Sequence, residues 1–210
     1  MTFLELCQRL RQEVGAAGNG PNTVVKQAGE MARLVSWVQR AWEDIQLERS
    51  DWYFNWATGE VEVFADFREY ELPDDFLRWK PDTLRMKGEE VKIITWNAFN
   101  DKYREPDNGA PLTVAIAPNR ILHLSRYPKV SSGRLTFEYF RTPQVLTGNN
   151  DKPRLPQEYQ MAIIYRAMLM YGFYENAPEV IQQAQMLYGQ IMQRMVGQEL
   201  PSIELGGPLA

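Results

Sequence analysis

The chain has 210 residues, of which 44% are hydrophobic and 24% are charged, and its formal net charge is -4 at neutral pH. These values are typical of a folded globular protein with one substantial core, or with a core and a small inserted domain. No apolar run approaches the roughly 20 residues of a membrane helix. The acidic balance argues against a protein whose main task is to grip nucleic-acid backbones.

The chain contains one cysteine, Cys7, and one histidine, His123. A single cysteine cannot form an intramolecular disulfide, and these two residues are too few for the common zinc sites. We interpret Cys7 as a thiol of the core and His123 as a structural residue of a strand. The glycine run GAAGNG has neither the lysine nor the preceding strand of a phosphate-binding loop. We therefore predict no metal, no cofactor and no catalytic residue.

The N-terminal third predicts two helices. Thr2 and Glu5 have the spacing of a capping box, and apolar residues then recur at three- and four-residue steps. A second helix, from about Ala28 to Glu48, carries an apolar stripe along one side. Trp42 lies inside this stripe, so we expect it to be buried. Trp37 lies at the margin, where it is covered either by the edge of the core or by another subunit.

After the second helix the apolar residues change to an alternating period. Trp52, Phe54 and Trp56 fall on one face of a predicted strand. We expect Trp52 and Trp56 to be buried, so that they join this strand to the helices.

Turn signals divide the rest of the middle region into short elements. We predict two strands around Lys87-Gly88, a hairpin around Pro118-Asn119 and a strand that ends at Pro143. The turn that begins at Pro73 is predicted to open a short helical piece that reaches Trp79. No other helix is expected in this region.

Two further helices are predicted between Gln157 and Val196, separated by YENAP, because Pro178 favours a first helical turn. Charges are sparse here, and the segment holds six of the nine methionines: Met161, Met168, Met170, Met186, Met192 and Met195. A surface helix usually keeps a broad charged face, so this composition indicates burial on more than one side. One side is the chain's own core. The other is covered either by a sheet of the same chain or by a second protein.

Together these elements predict an α+β fold. A helical bundle is formed by residues 1–51 and 152–196, and residues 52–151 are a β-rich insertion. Residues 197–210 are an extended C-terminal tail, because they are rich in glycine and proline. The tail is expected either to dock on a partner or to be disordered.

Four phrases of the sequence, in this order, resemble the head-to-tail adaptor proteins of tailed bacteriophages, which are also called connector, head-completion or neck proteins. The phrases are GEMARLVSWVQRAWEDIQ, DWYFNW, LPDDFLRW and LPQEYQMAIIYRAMLMYGFYENAPE. The resemblance extends to about Val196. It implies a structural virion protein and not an enzyme, with about twelve copies in a ring beneath the portal.

The resemblance also implies partners and a location. The partners would be the portal protein ring, neighbouring copies of the chain, and tail or nozzle proteins, with only non-specific proximity to DNA and no membrane. The location would be the head–tail junction of the virion, after assembly in the host cytoplasm. The N-terminal segment MTFLELCQRLRQEV fits a cytoplasmic origin, because it lacks the features of a signal peptide.

Composition, not a family motif, supplies the candidate contacts with partners or neighbouring copies. They are aromatic and methionine residues of the second helix and the C-terminal helices, and apolar residues of the tail. The candidates are Trp37, Tyr171, Tyr174, Met186, Tyr188, Met192, Met195, Leu200, Ile203 and Leu205.

Three other functions remain as alternatives. The chain could be a different structural component of the tail or neck, or a nucleic-acid-binding module. It could also be a hydrolase that uses two carboxylates, as glycosidases do. The acidic pairs occur in turn-like contexts, which favours solvated loops; they are Asp74 with Asp75, Glu89 with Glu90, and Asp101 with Glu105.

Overall fold

The computed structural model of the chain describes residues 1–108, 112–129 and 133–200. These residues contain five α-helices and two β-sheets, so the predicted α+β class is confirmed. They form two compact units. The helical unit consists of Met1–Asn55 together with the residues from Pro143 onward, and the β-rich unit consists of Trp56–Thr142.

Helices α1 and α2 begin the helical unit, at Phe3–Glu13 and Gly29–Glu48. The capping box is confirmed: the Thr2 hydroxyl accepts a hydrogen bond from the Glu5 backbone N–H, and the Glu5 carboxylate accepts one from the Thr2 N–H. Cys7 is fully buried, and this burial raises the pKa of its thiol to about 12. It is therefore a core residue, as predicted.

Helices α4 and α5 form a hairpin, with bounds Met161–Glu175 and Pro178–Glu199. Asn176 adopts a left-handed conformation that ends α4, and the next helix opens on proline, as the sequence predicted. Helix α5 continues beyond the predicted limit at Val196. Its last turn is held by a hydrogen bond from the Tyr159 hydroxyl to the Gln198 side chain. The rest of the predicted tail, residues 201–210, lies outside the described residues.

The four long helices share one hydrophobic core. Helix α4 packs against α1, α2 and α5, and α1 packs against α2. Trp42 is fully buried in this core, as predicted.

The transition between the two units differs from the prediction. A 3-10 helix occupies Tyr53–Asn55, where the sequence predicted a strand. Trp52 is buried in the helical core, and its Nε1 donates a hydrogen bond to the carbonyl oxygen of Ile45 at 2.9 Å. The prediction that Trp56 is buried is wrong. It is 39% exposed, because its Nε1 donates to the Glu138 carboxylate on the open face of a strand.

The described residues of the β-rich unit contain the short helix α3, Trp96–Tyr103, and nine strands. The strands are β1 Trp56–Val63, β2 Glu69–Glu71, β3 Phe76–Trp79, β4 Arg85–Met86, β5 Glu89–Glu90, β6 Lys92–Ile93, β7 Thr113–Ile116, β8 Ile121–Leu124 and β9 Gly133–Arg141. In one sheet β9 is central and pairs with β1, β3 and β4, while β5 pairs with β4. The other sheet has the order β2-β8-β7-β6. Buried residues of both sheets form one core.

Most of the predicted short strands are confirmed. Strands β4 and β5 flank Lys87-Gly88, β7 and β8 flank Pro118-Asn119, and β9 ends before Pro143. The helical piece predicted after Pro73 is wrong, because β3 pairs there with β9. The sequence also missed α3, whose two turns bury only Phe99 and Tyr103. Among the described residues, no helix is both long enough and apolar enough to cross a membrane.

The α4–α5 hairpin provides a matched pair of glycine substitutions. A Cβ at Gly172 would lie 2.7 Å from Cγ1 and 3.3 Å from the backbone N of Ile181, whereas a Cβ at Gly189 would meet no atom within 4 Å. We expect Gly172→Ala to lower the free energy of unfolding by about 1–3 kcal/mol through overpacking. Gly189→Ala should raise it by about 0.5–1 kcal/mol, because alanine favours a helix. Urea unfolding of both variants checks this, and equal effects would contradict the close packing at Gly172.

Candidate functional site

An aromatic cluster lies on helices α2 and α4. Trp37 contacts Tyr171 edge to face, with ring centroids 5.8 Å apart, and Tyr174 at 5.5 Å. The Arg33 guanidinium lies 4.5 Å from the centre of the Tyr174 ring and donates a hydrogen bond to its hydroxyl. We call these four residues the Trp37 cluster. Trp37 is half-buried by its own chain, whereas Tyr174 is 52% exposed.

Phe173 is a further exposed aromatic residue of α4, although it was not among the predicted contacts. It is 69% exposed, more than any other large hydrophobic side chain of the described residues. It immediately precedes Tyr174 in the last turn of α4. The sequence offered one indication of this exposure: Phe173 stands just before the predicted end of its helix. Residues near the end of a helix have few neighbours within the bundle.

Two predicted contacts on α5 have different environments. Met186 is 58% exposed. Tyr188 is half-buried, its hydroxyl donates a hydrogen bond to Glu48 Oε1 at 2.5 Å, and the Arg166 guanidinium lies 5.8 Å from its ring centre. Burial raises the pKa of Tyr188, and the Glu48 carboxylate raises it further. Met186 is therefore accessible to another protein, whereas the Tyr188 hydroxyl is already hydrogen-bonded within its own chain.

The remaining predicted contacts divide into three groups. Met192 and Leu200 are half-buried and pack against the helical core. Met195 has no exposed surface, so its prediction as a contact is wrong: the core of its own chain covers it completely. Ile203 and Leu205 lie outside the described residues.

The exposed side of α5 carries few charges. Among its exposed residues only Glu179 and Arg194 are charged, and most of the others are glutamines, with Met186, Gly189 and Val196 between them. Solvent-facing helix surfaces usually carry a much higher share of charged side chains. The small number of charged residues in this segment is therefore a property of the solvent-exposed side of α5. Burial inside the chain does not explain it.

His123 lies in a setting that indicates a structural role. Its ring centre is 4.8 Å from that of Trp96, and its Nδ1 is 3.7 Å from Glu69 Oε1. Burial lowers the pKa of His123, with the Glu69 carboxylate acting in the opposite direction. The ring is held against aromatic side chains and faces one carboxylate at more than hydrogen-bonding distance.

The acidic pairs are separate surface features. Asp75 accepts a hydrogen bond from the Tyr139 hydroxyl at 2.8 Å, while Glu89 and Glu90 are both exposed. Asp101 and Glu105 are also exposed. Across the described ranges, no three His, Cys, Asp or Glu side chains are grouped so that they could hold a metal ion.

Comparison with known proteins identifies one family. A family model described as the SU10 adaptor protein matches residues 1–208. No curated protein matches the chain. The matched range includes both compact units, so the similarity is not confined to the helices.

The lowered pKa of His123 predicts a loss of stability in mild acid. The unfolded chain binds a proton near the ordinary histidine pKa of 6.5, and the folded chain binds it only at lower pH. Stability therefore falls as the pH drops through this window. We expect wild-type protein to lose unfolding free energy between about pH 7.5 and about pH 5.5, and His123→Gln to lose less. Urea unfolding at both pH values is the measurement, and parallel losses would show that His123 does not titrate abnormally.

Proposed function

Because the chain belongs to the SU10 adaptor protein family, a family of phage head-to-tail adaptors, we propose that it is a structural virion protein that links the capsid to the tail. The family match over residues 1–208 is the observation that carries this proposal. About twelve copies form a ring beneath the portal, and DNA passes through the ring. The ring lies at the head–tail junction and assembles from subunits made in the host cytoplasm.

The surface of the helical unit supports this role. A subunit of a ring must bury surface against neighbouring copies and against the portal, and such interfaces favour aromatic and methionine side chains over charges. Phe173, Tyr174 and Met186 are exposed and lie on the charge-poor α4–α5 hairpin. We assign the contacts with neighbours or with the portal to this hairpin and to the Trp37 cluster. Trp37 itself contributes mainly by fixing the two tyrosines.

The two units have separate parts in this proposal. The helices from both ends of the chain form the bundle that assembles, and the β-rich unit is an insertion that presents further surface to tail or nozzle proteins. The net charge of -4 limits non-specific adhesion of DNA, since the 27 acidic residues outnumber the 23 basic ones and repel the phosphates. The role is structural, because assembly and passage of DNA require geometry and no bond-making step.

The direct test mixes the purified chain with the portal ring encoded by the same genome and images the particles by electron microscopy. We expect an added ring coaxial with the portal, with about twelve chains. A bare portal, with both proteins shown to be folded, would contradict a portal adaptor. It would favour a more distal component of the tail or neck.

Exposed residues of the hairpin allow a test of the contact surface. Phe173→Ser and Met186→Ser should change the free energy of unfolding by less than about 0.5 kcal/mol, because both side chains are exposed. Each should weaken portal binding or ring formation by about fivefold or more if the hairpin is the contact. Leu47→Ser is the matched control, since Leu47 is 64% exposed but lies on α2. Equal behaviour of all three variants would remove the assignment to the hairpin.

The C-terminal tail allows a separate test. Deletion of residues 201–210 leaves α5 complete, since this helix ends at Glu199. If the tail docks on the portal through Ile203 and Leu205, portal binding should weaken by about tenfold or more. Titration of the portal ring with truncated and full-length chains measures this. Unchanged affinity would restrict docking to the helices.

A further inference from the structure

Among the described residues, strand β1 pairs with another strand on one side only. In the described part of the chain it pairs only with β9, over its full length Trp56–Val63 and with no shift of register. It therefore forms an edge of its sheet. A regular edge of this length presents backbone N–H and C=O groups that can pair with another chain.

Hydrogen bonds of β9 show which groups of β1 point outward. The backbone N–H of Glu138 donates to the Thr83 hydroxyl, and its C=O accepts from the Lys80 N–H, both on the side away from β1. Glu138 lies opposite Thr58, so the N–H and C=O of Thr58 point to the open edge. By the two-residue repeat of a strand, those of Glu60 and Glu62 do the same.

This edge has few of the usual protections against strand addition. Its sequence, WATGEVEV, contains no proline and no lysine, and its pairing with β9 contains no bulge. Val61 and Val63 are buried, whereas Thr58, Glu60 and Glu62 are exposed. The polar side chains that line the open edge are thus acidic or neutral.

The charges at the edge disfavour a second copy of the same strand. Glu60 and Glu62 share one cation, Arg134, at 3.0 and 3.6 Å, which leaves them with a net negative charge. Antiparallel pairing of two β1 strands would place Glu60 of one copy opposite or diagonal to Glu60 of the other. Like charges in these positions are destabilising. The edge therefore favours a strand that carries positive charges.

A hollow beside the edge indicates the same preference. It has a volume of about 590 Å³, and its lining includes Thr58, Glu60, Thr83, Thr136 and Glu138. Two of the described lining residues are carboxylates, and each already has one cation beside it: Arg134 lies 3.0 Å from Glu60, and Lys80 lies 2.7 Å from Glu138. Hydroxyl and carboxylate oxygens accept hydrogen bonds from a lysine or arginine side chain. Since a carboxylate has about four acceptor sites, a basic side chain on an added strand can still hydrogen-bond to Glu60 or Glu138.

We propose that the open edge of β1 binds an extended segment of another protein as an additional strand, with lysine or arginine at alternate positions facing Glu60 and the adjacent hollow. Backbone hydrogen bonds supply the affinity, and the carboxylates select the charge of the partner and exclude a second copy. This surface is additional to the α4–α5 hairpin, and it does not depend on a portal partner.

A synthetic peptide with the sequence Thr-Lys-Val-Lys-Val-Lys-Val-Thr is a suitable probe. We expect it to bind at low salt and to slow amide hydrogen exchange of Thr58, Glu60 and Glu62. Exchange at the intervening amides, such as Gly59 and Val61, should already be slow, because these amides pair with β9. Absence of binding, or binding that leaves the three outward amides unprotected, would overturn the proposal.

Three variants separate the backbone contribution from the charge. Glu60→Pro removes an outward N–H and leaves the ladder with β9 intact, so peptide affinity should fall by about fivefold or more. Combined Glu60→Gln and Glu62→Gln should weaken binding and reduce its dependence on salt. Glu71→Gln, at an exposed residue of β2 in the other sheet, is the matched control and should bind as wild type.

Two results would contradict particular parts of the proposal. Wild-type affinity in the Glu60→Pro variant, or equal affinity for a peptide with glutamate in place of lysine, would exclude strand addition selected by charge. If Glu60→Pro fails to fold, the exchange pattern and the double glutamine variant still decide the question. Protection of Thr58, Glu60 and Glu62 at high protein concentration without peptide would identify a second copy as the occupant, against the proposal.

Discussion

Helix α4 is the constraint on which the helical unit depends. It contacts α1, α2 and α5, and six of its fifteen residues are buried. The apolar stripes of the two N-terminal helices therefore cannot be covered until the last quarter of the chain is in place. Because this burial joins residues far apart in sequence, the unit is stabilised by contacts whose loop-closure entropy must be overcome first. The long β-rich segment between them is compatible with this order, since it has a core of its own.

Because α5 packs against α4, one side of α5 faces the hydrophobic core and the opposite side is exposed to solvent. Ala184, Ile191 and Met195 point into the core, and the opposite side is made largely of glutamine and glycine. An uncharged, hydrogen-bonding surface of this kind is hydrated in the free subunit. It can also be buried at low desolvation cost, because amides are cheaper to bury than carboxylates or ammonium groups. A protein that must exist both alone and in an assembly benefits from both properties.

The sequence predicted two kinds of element: helices with a long apolar repeat, and turns that are determined by a few adjacent residues. The helices α1, α2, α4 and α5 repeat their apolar pattern over several turns, and the Asn-Ala-Pro break identifies the α4–α5 corner by backbone chemistry alone. Alternation at Trp52, Phe54 and Trp56 failed as a guide because a 3-10 helix of three residues can carry the same pattern. Composition could not separate Met195 from Met186, since the two differ only in which side of α5 they occupy.

The two candidate surfaces differ in the physics by which they would select a partner. The hairpin would bind a partner through its side chains. Its selectivity would therefore come from shape complementarity and from the desolvation of aromatic rings and methionines. The β1 edge offers backbone groups that any strand could satisfy, so its selectivity must come from charge. The carboxylates that would repel another β1 are also those that would attract a basic strand. The helical surface and the β1 edge therefore suit chemically different partners.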